Sequence, residues 1–394
     1  MATPGPLEEA PDPSLTLGGP LYRLLRRSHT ASPVSGLLYR QATIAVLVCW
    51  VPLAILSLAQ VHSMGYVKLS FFPDIETHIR FLVSLPVLII AEMLVDQRIR
   101  PMMKRFVERH VITSAELPKF YGAINTTVSL YNSIIVDIVL LALVYTIGMW
   151  IWRHQIPADV ASWYASSHAG QVHLSMPGYW LALVSVPIFQ FILLRWFWQF
   201  AIWFLFLFRI SRLQLRLSPL HPDREGGIGF VGTSSLAFAP LLFALSALLS
   251  AHIASRILYN GESLFSSEIA VLGYVFLSVA AAITPLFLFT PQLILAKRRG
   301  LAKYGNFASD FVTNFDDKWL KGNLDDEMSA SGEDIQSLAD LSNSFSVVRR
   351  MRFAPIAADD IFLLLFITAA PFLPLLLSIM PLEQLVVHTL KIIF

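Results

Sequence analysis

The stretch from Trp180 to Leu217 constrains the fold most. From Trp180 to Phe208 it is almost wholly apolar, with Trp196, Trp198 and Trp203 set among Phe, Leu and Ile. A helix needs about 20 apolar residues to cross a bilayer. This one spans roughly 45 Å at about 1.5 Å per residue, so it must tilt or project beyond the membrane. One charge interrupts it, Arg195. An arginine at membrane depth costs about 2.5–3.5 kcal/mol on insertion scales, and such residues face a partner or a wet cavity. The run then turns cationic at Arg209, Arg212 and Arg216 and ends in the loop Ser218–Gly232, SPLHPDREGGIGFVG. Pro219 and Pro222 stop a helix there, and four glycines allow sharp turns.

The rest of the chain repeats the pattern. Only 14% of its 394 residues are charged, against about 25% in soluble domains. Depletion over the whole length implies an all-α polytopic membrane protein. Seven apolar stretches are long enough to span: Gln41–Val61, Ile79–Asp96, Ser133–Trp152, Trp180–Phe208, Thr233–His252, Glu268–Leu295 and Asp360–Met380. An amphipathic cationic stretch, Arg98–His110, follows the second. The last span is broken by Pro371 and Pro374. A single cysteine, Cys49, rules out an intrachain disulfide. Residues 1–35 are proline-rich and read as a disordered tail, with the first span an uncleaved signal anchor.

Lys and Arg placement sets the expected orientation. The tail, the segment after span 2, the segment after span 4 and the segment after span 6 hold most of the cations. The other side has Lys68, Arg80, Arg153, Arg256 and Lys391. Seven spans put every rich segment on one side, with the N-terminus inside and the C-terminus outside. The expected organisation is a tail over 1–35, spans 1–6 over 36–295 including a Gly-rich turn at 217–232, a cytoplasmic helical segment over 296–359, and span 7 with a short outer end over 360–394. In the cytoplasmic segment Phe307, Phe311, Phe315 and Trp319 form one helical stripe. Ile335, Leu338, Leu341, Phe345 and Val348 form a second, after a linker with Asp325, Asp326 and Glu327 and a capping-box pair, Ser331 with Asp334. The two helices should pack on each other and on the projecting end of span 4.

Three charges lie inside spans: Glu92, Asp137 and Arg195. They form either an ion or proton path or a structural pair that fixes helix packing. A second constellation is the loop His221, Pro222, Asp223, Arg224, Gly226, Gly227 and Gly229. Gly227, Gly229 and Gly232 match G-x-G-x-x-G, but no strand precedes them, so the pattern reads as a close-packed turn and not a nucleotide site. His221, Asp223 and Arg224 also offer an anion seat near a helix N-terminus. Seven of the ten histidines fall on the expected outside, where solvated side chains or a pH- or zinc-sensing face are the alternatives. No Walker A, H-E-x-x-H or other catalytic motif occurs. No cofactor, metal, nucleotide or nucleic acid is expected; the expected partners are the lipid bilayer and further copies of the chain.

The loop LSPLHPDREGGIGFVG resembles a signature of bacterial multi-pass inner-membrane proteins of uncharacterised activity, carried by His221, Pro222, Asp223, Gly226, Gly227, Gly229 and Phe230. That resemblance implies a bacterial inner-membrane location. The overall plan, seven helices with a cytoplasmic helix leading into a short last span, is similar to that of insect chemoreceptor-type channels. This second likeness implies a tetrameric cation channel lined by the last helix. The function expected is an ion or small-solute channel or transporter; the alternative is a scaffold or sensor acting through the cytoplasmic helices.

Overall fold

The computed structural model describes residues 34–64, 70–154, 162–168, 171–263, 267–319 and 332–376. The expected tail, the Asp325–Glu327 linker, Ser331 and the end of span 7 lie outside these residues. Among the described residues nine helices follow one another: α1 Leu38–Gln60, α2 Ile75–Glu108, α3 Leu117–Tyr131, α4 Ile134–His154, α5 Met176–Ile210, α6 Gly229–Tyr259, α7 Glu268–Asp317, α8 Gly332–Arg349 and α9 Ala358–Leu375. All but α3 and α8 are long and apolar enough to cross a membrane. The chain is a multi-pass membrane protein.

Prolines shape these helices. In hydrocarbon, a backbone carbonyl that loses its helical donor needs another partner. Pro52 has no N–H for the Val48 carbonyl; the indole of Trp180 donates to it at 3.1 Å, and the Ser185 hydroxyl donates to the Cys49 carbonyl at 2.8 Å. So α1 breaks at Trp50 and is mended from α5. Widened π-helical turns lie immediately ahead of Pro86 and Pro187, at Ile79–Ser84 and Leu181–Ser185. A third, Val144–Gly148, faces the last of these. There the Tyr145 hydroxyl donates to the Leu183 carbonyl, and Gln190 donates to the Gly148 carbonyl. Tight 3₁₀ turns mark Pro285 and Pro371.

The most enclosed helix is α6, not the aromatic α5: 67% of its most apolar stretch is buried, against 44% for α5. Its Ala and Ser residues let neighbours approach closely. Ser84 of α2 donates to the Ala244 carbonyl, and Ser250 donates to the Pro371 carbonyl of α9. On the outside lies α4, where only Leu140 and Val144 are buried. Ile135, Ile138 and Trp150 are exposed and form a lipid-facing surface.

Alternating helices bring the described arginine-rich segments after α2, after α5 and around Lys297 and Arg352 to one end of the bundle, here termed the basic end. The α2–α3 turn meets the chain after α5 there, through a bridge between Ile112 and Leu215. At the far end, the chain between α4 and α5 contains a small antiparallel hairpin, Ala165–His168 with Gln171–Leu174. Four-residue strands are too short to announce themselves by alternation. Asp74 caps α2 and accepts from Trp163 beside the hairpin at 2.9 Å.

Beyond the bundle, α7 continues without a break past its apolar part, and α8 folds back on it. Of the two stripes, Phe311, Phe315, Leu338, Leu341 and Phe345 are half-buried and Val348 is buried. Phe307 and Ile335 are exposed. Val348 packs near Gly300 and Pro219, just past the end of α5.

Candidate functional site

Arg195 sits midway along α5, and Glu92 midway along α2. Asp137 lies in the first turn of α4. These crossings bring the three charges together. Arg195 Nη1 is 3.4 Å from Asp137 Oδ1, and Nε is 3.6 Å from Glu92 Oε1. The first is a long hydrogen bond; the second is an ion pair beyond hydrogen-bond reach. The guanidinium also stands 5.6 Å from the Tyr131 ring centroid, a cation–π distance. One turn further along α5, Gln199 donates to the Tyr131 hydroxyl at 3.3 Å. Arg195, Gln199 and Tyr131 are all buried. One turn from Glu92 on α2, Asp96 pairs with Arg100 at 3.6 Å.

The cluster is not balanced, since two carboxylates share one guanidinium. With all three ionised it carries one excess negative charge among apolar helices. Tyr131 and Gln199 had no signal in the sequence beyond the i, i+4 spacing of Gln199 from Arg195.

The basic-end loop is different. The Asp223 carboxylate accepts from the backbone N–H groups of Glu225 at 2.8 Å, Gly227 at 3.1 Å and Gly229 at 3.0 Å. His221 Nδ1 lies 2.8 Å from the same carboxylate. The chain wraps tightly enough to require φ of +57° at Arg224, +70° at Gly226 and +96° at Gly227. Burial alone pushes the Asp223 carboxyl up; the three backbone donors and His221 outweigh it and hold the group below the usual carboxylate range. Asp223 therefore fills the anion seat at the start of α6, and a phosphate would compete with it for the same N–H groups. Gly229 begins a 3₁₀ turn, Gly229–Phe238, far from any dinucleotide geometry. Pro222 and Arg224 point into solvent.

Glu225, buried inside this loop, pairs with Arg352 at 2.6 Å. The Arg352 backbone N–H donates to the Arg224 carbonyl at 2.7 Å, and Lys297 of α7 donates to the Met351 carbonyl. A Cβ on Gly232 would stand 2.4 Å from the Pro355 carbonyl oxygen. The loop thus fastens the segment that leads into α9. Burial pushes the Glu225 carboxyl above the usual range, Arg352 pulls it back, and Asp223 and Asp360 add to the rise. Neither Glu225 nor Arg352 stood out in the sequence; they are 127 positions apart.

Pro371 and Pro374 tighten α9 and do not open it: the Pro371 carbonyl is taken by Ser250 at 2.6 Å. Three of the far-end histidines have local partners. His78 lies between Trp50 Nε1 and the Phe72 carbonyl, His252 beside Glu76, and His154 beside the Trp150 carbonyl. In comparisons with protein-family models, with curated proteins and with solved structures, nothing matches this chain.

Proposed function

We propose that the chain is an ion or small-solute channel or transporter of a bacterial inner membrane, with its N-terminus inside and its C-terminus outside. The observation that carries this is the unbalanced cluster of Glu92, Asp137 and Arg195. A purely structural ion pair between membrane helices needs one carboxylate per guanidinium. An extra buried carboxylate is costly and earns its place if an ion passes. The excess of Lys and Arg at one end supports the orientation.

The test is a flux assay on the purified chain in liposomes, across protons, Na⁺, K⁺, Cl⁻ and small organic solutes, beside a native mass. Flux of at least one ion or solute above protein-free liposomes is expected. Orientation is tested by single cysteines: Ser166→Cys should react with an impermeant thiol reagent from outside, and Ser218→Cys should not. A second reading, a membrane scaffold or sensor, is favoured by the exposed apolar residues Phe307, Val312 and Ile335 on the α7–α8 hairpin. Absence of flux for every species tried would leave that reading standing.

A further inference from the structure

We propose that the ion handled by this cluster is the proton, with Glu92 the carboxyl that binds it and Asp137 the standing partner of Arg195. The inference rests on the transport reading above and names its ion.

The two carboxylates are not equivalent. Asp137 lies in the first turn of α4, where unpaired backbone N–H groups and the helix dipole favour a negative charge. It also accepts the hydrogen bond from Arg195 Nη1. Glu92 lies at the middle of α2, where neither end of the dipole reaches it. Its contact with Arg195 Nε is 3.6 Å, and that Nε makes no hydrogen bond. Neutralising Glu92 therefore breaks no hydrogen bond to Arg195 and removes the excess charge. Neutralising Asp137 would break a hydrogen bond that Arg195 does make.

A second observation points the same way. Gln199 is 4% exposed; its amide nitrogen is spent on Tyr131, and its Oε1 has no partner. A buried acceptor beside this cluster takes an O–H or N–H donor, which a neutral water or a protonated acid supplies and an anion does not. A metal cation is disfavoured by the guanidinium within the cluster. Among the described residues no group of three His, Cys, Asp or Glu could hold a metal.

The titratable and charged groups around Glu92 are few. Its own helix supplies Asp96 and Arg100, α3 supplies Tyr131, α4 supplies Asp137 and α5 supplies Arg195. Of the ionisable side chains of α1, Tyr39 and Arg40 are exposed at its basic end and Cys49 is buried nearer the far end. The 3₁₀ turn of α6 that packs on α2 offers only hydroxyls, Thr233, Ser234 and Ser235. The step itself is simple. A Glu92 carboxylate oxygen takes a proton from hydronium, an O–H bond forms, water is left, and the cluster goes from one excess negative charge to none. Release reverses this.

The test uses the full chain in lipid. Infrared difference spectra between about pH 8 and about pH 5, both above the ordinary carboxylate values of about 3.9–4.3 so that solvated carboxylates stay ionised, should show a protonated-carboxyl stretch. That band should vanish in Glu92→Gln and return, displaced, in Glu92→Asp. In liposomes with an interior pH dye, an imposed pH gradient should acidify the lumen with the native chain and not with Glu92→Gln. Should Glu92→Gln fail to fold, displacement of the band in Glu92→Asp carries the same assignment. A band that survives unchanged in both variants overturns the proposal. Flux of another ion that ignores the pH gradient, with no Glu92 band, also overturns it while the transport reading stands. A Glu92-dependent band with no flux of any species keeps the proton site and overturns transport.

Discussion

The membrane cluster and the basic-end loop both centre on buried carboxylates facing an arginine, and they are built in opposite ways. In the loop, Asp223 has three backbone donors and a histidine within 3.1 Å, and Glu225 meets Arg352 at 2.6 Å. In the cluster, the two contacts of Arg195 are 3.4 and 3.6 Å, and two carboxylates share its one guanidinium. Short, saturated contacts make a fixed joint. Long, unsaturated ones leave a group that can change its charge without tearing the packing. A buried polar network specifies one structure when every member is satisfied; the loop meets that condition and the cluster does not.

The largest expected effect separates the two regions by charge count. Arg195→Ala removes the guanidinium that two carboxylates share. Breaking a buried pair costs about 3–5 kcal/mol, so the variant should lose most of its folded yield, read by size-exclusion of detergent-solubilised protein. The triple change Arg195→Met, Glu92→Gln, Asp137→Asn should recover much of it, because no unpaired charge remains. If the triple variant is no better than Arg195→Ala, Arg195 acts through packing on Tyr131 and not through charge.

Next in size is a steric test of the joint. Gly232→Ala sets a methyl against the Pro355 carbonyl, with backbone on both sides and nothing flexible to yield. Overpacking of this kind costs about 1–3 kcal/mol. The melting temperature should fall while proton binding at Glu92 is unchanged. Loss of proton binding in this variant would show that the joint and the cluster are one unit.

Smaller still is Arg352→Ala. It strands Glu225 in the loop, but the Arg352 side chain is 42% exposed, and solvent weakens such pairs. The cost should lie near about 1.5 kcal/mol, the low end for hydrogen bonds to charged groups, with proteolysis of the 350–356 segment accelerated. Adding Glu225→Gln to Arg352→Ala should restore part of the loss. No restoration would mean that the backbone bond from Arg352 to Arg224 holds the segment by itself.

Much of this was legible in the residues. Each of the seven membrane-length helices contains or closely overlaps a stretch that length and hydropathy single out. Glu92, Asp137 and Arg195 are conspicuous because charges at that depth are costly. What the residues concealed has physical reasons. The enclosure of α6 comes from small Ala and Ser residues, which give no louder apolar signal than the aromatic α5. The Glu225–Arg352 pair joins loops that are distant in the chain, and each residue alone reads as a solvated charge. The π turns are announced only by Pro86 and Pro187, and the third by no proline. The half-burial of Phe311 and Phe315 shows that a helical stripe tells which face is apolar, not how deeply a partner covers it.

The smallest effect is a pH response that belongs to the loop alone. The Asp223 carboxyl is held below the usual range in the folded chain. Its contribution to stability is thus complete above its unfolded value, near about pH 3.9, and is lost as pH falls through the folded value. Glu225 has the opposite sign. Its folded value is raised, chiefly by burial, so its ionised form opposes folding at neutral pH, and acidification through the folded value relieves that opposition. Protection of the Gly227 and Gly229 amides from hydrogen exchange should therefore rise as pH falls toward the ordinary glutamate value of about 4.3, and fall once pH drops below the ordinary aspartate value of about 3.9. Glu225→Gln should remove the rise and keep the fall; Asp223→Asn should weaken protection at every pH above the fall. A rise that persists in Glu225→Gln would assign the response to another acid. A Glu92→Gln chain that lost it would tie the loop to the membrane cluster, and the contrast between a fixed joint and a titrating site would then dissolve into one coupled network.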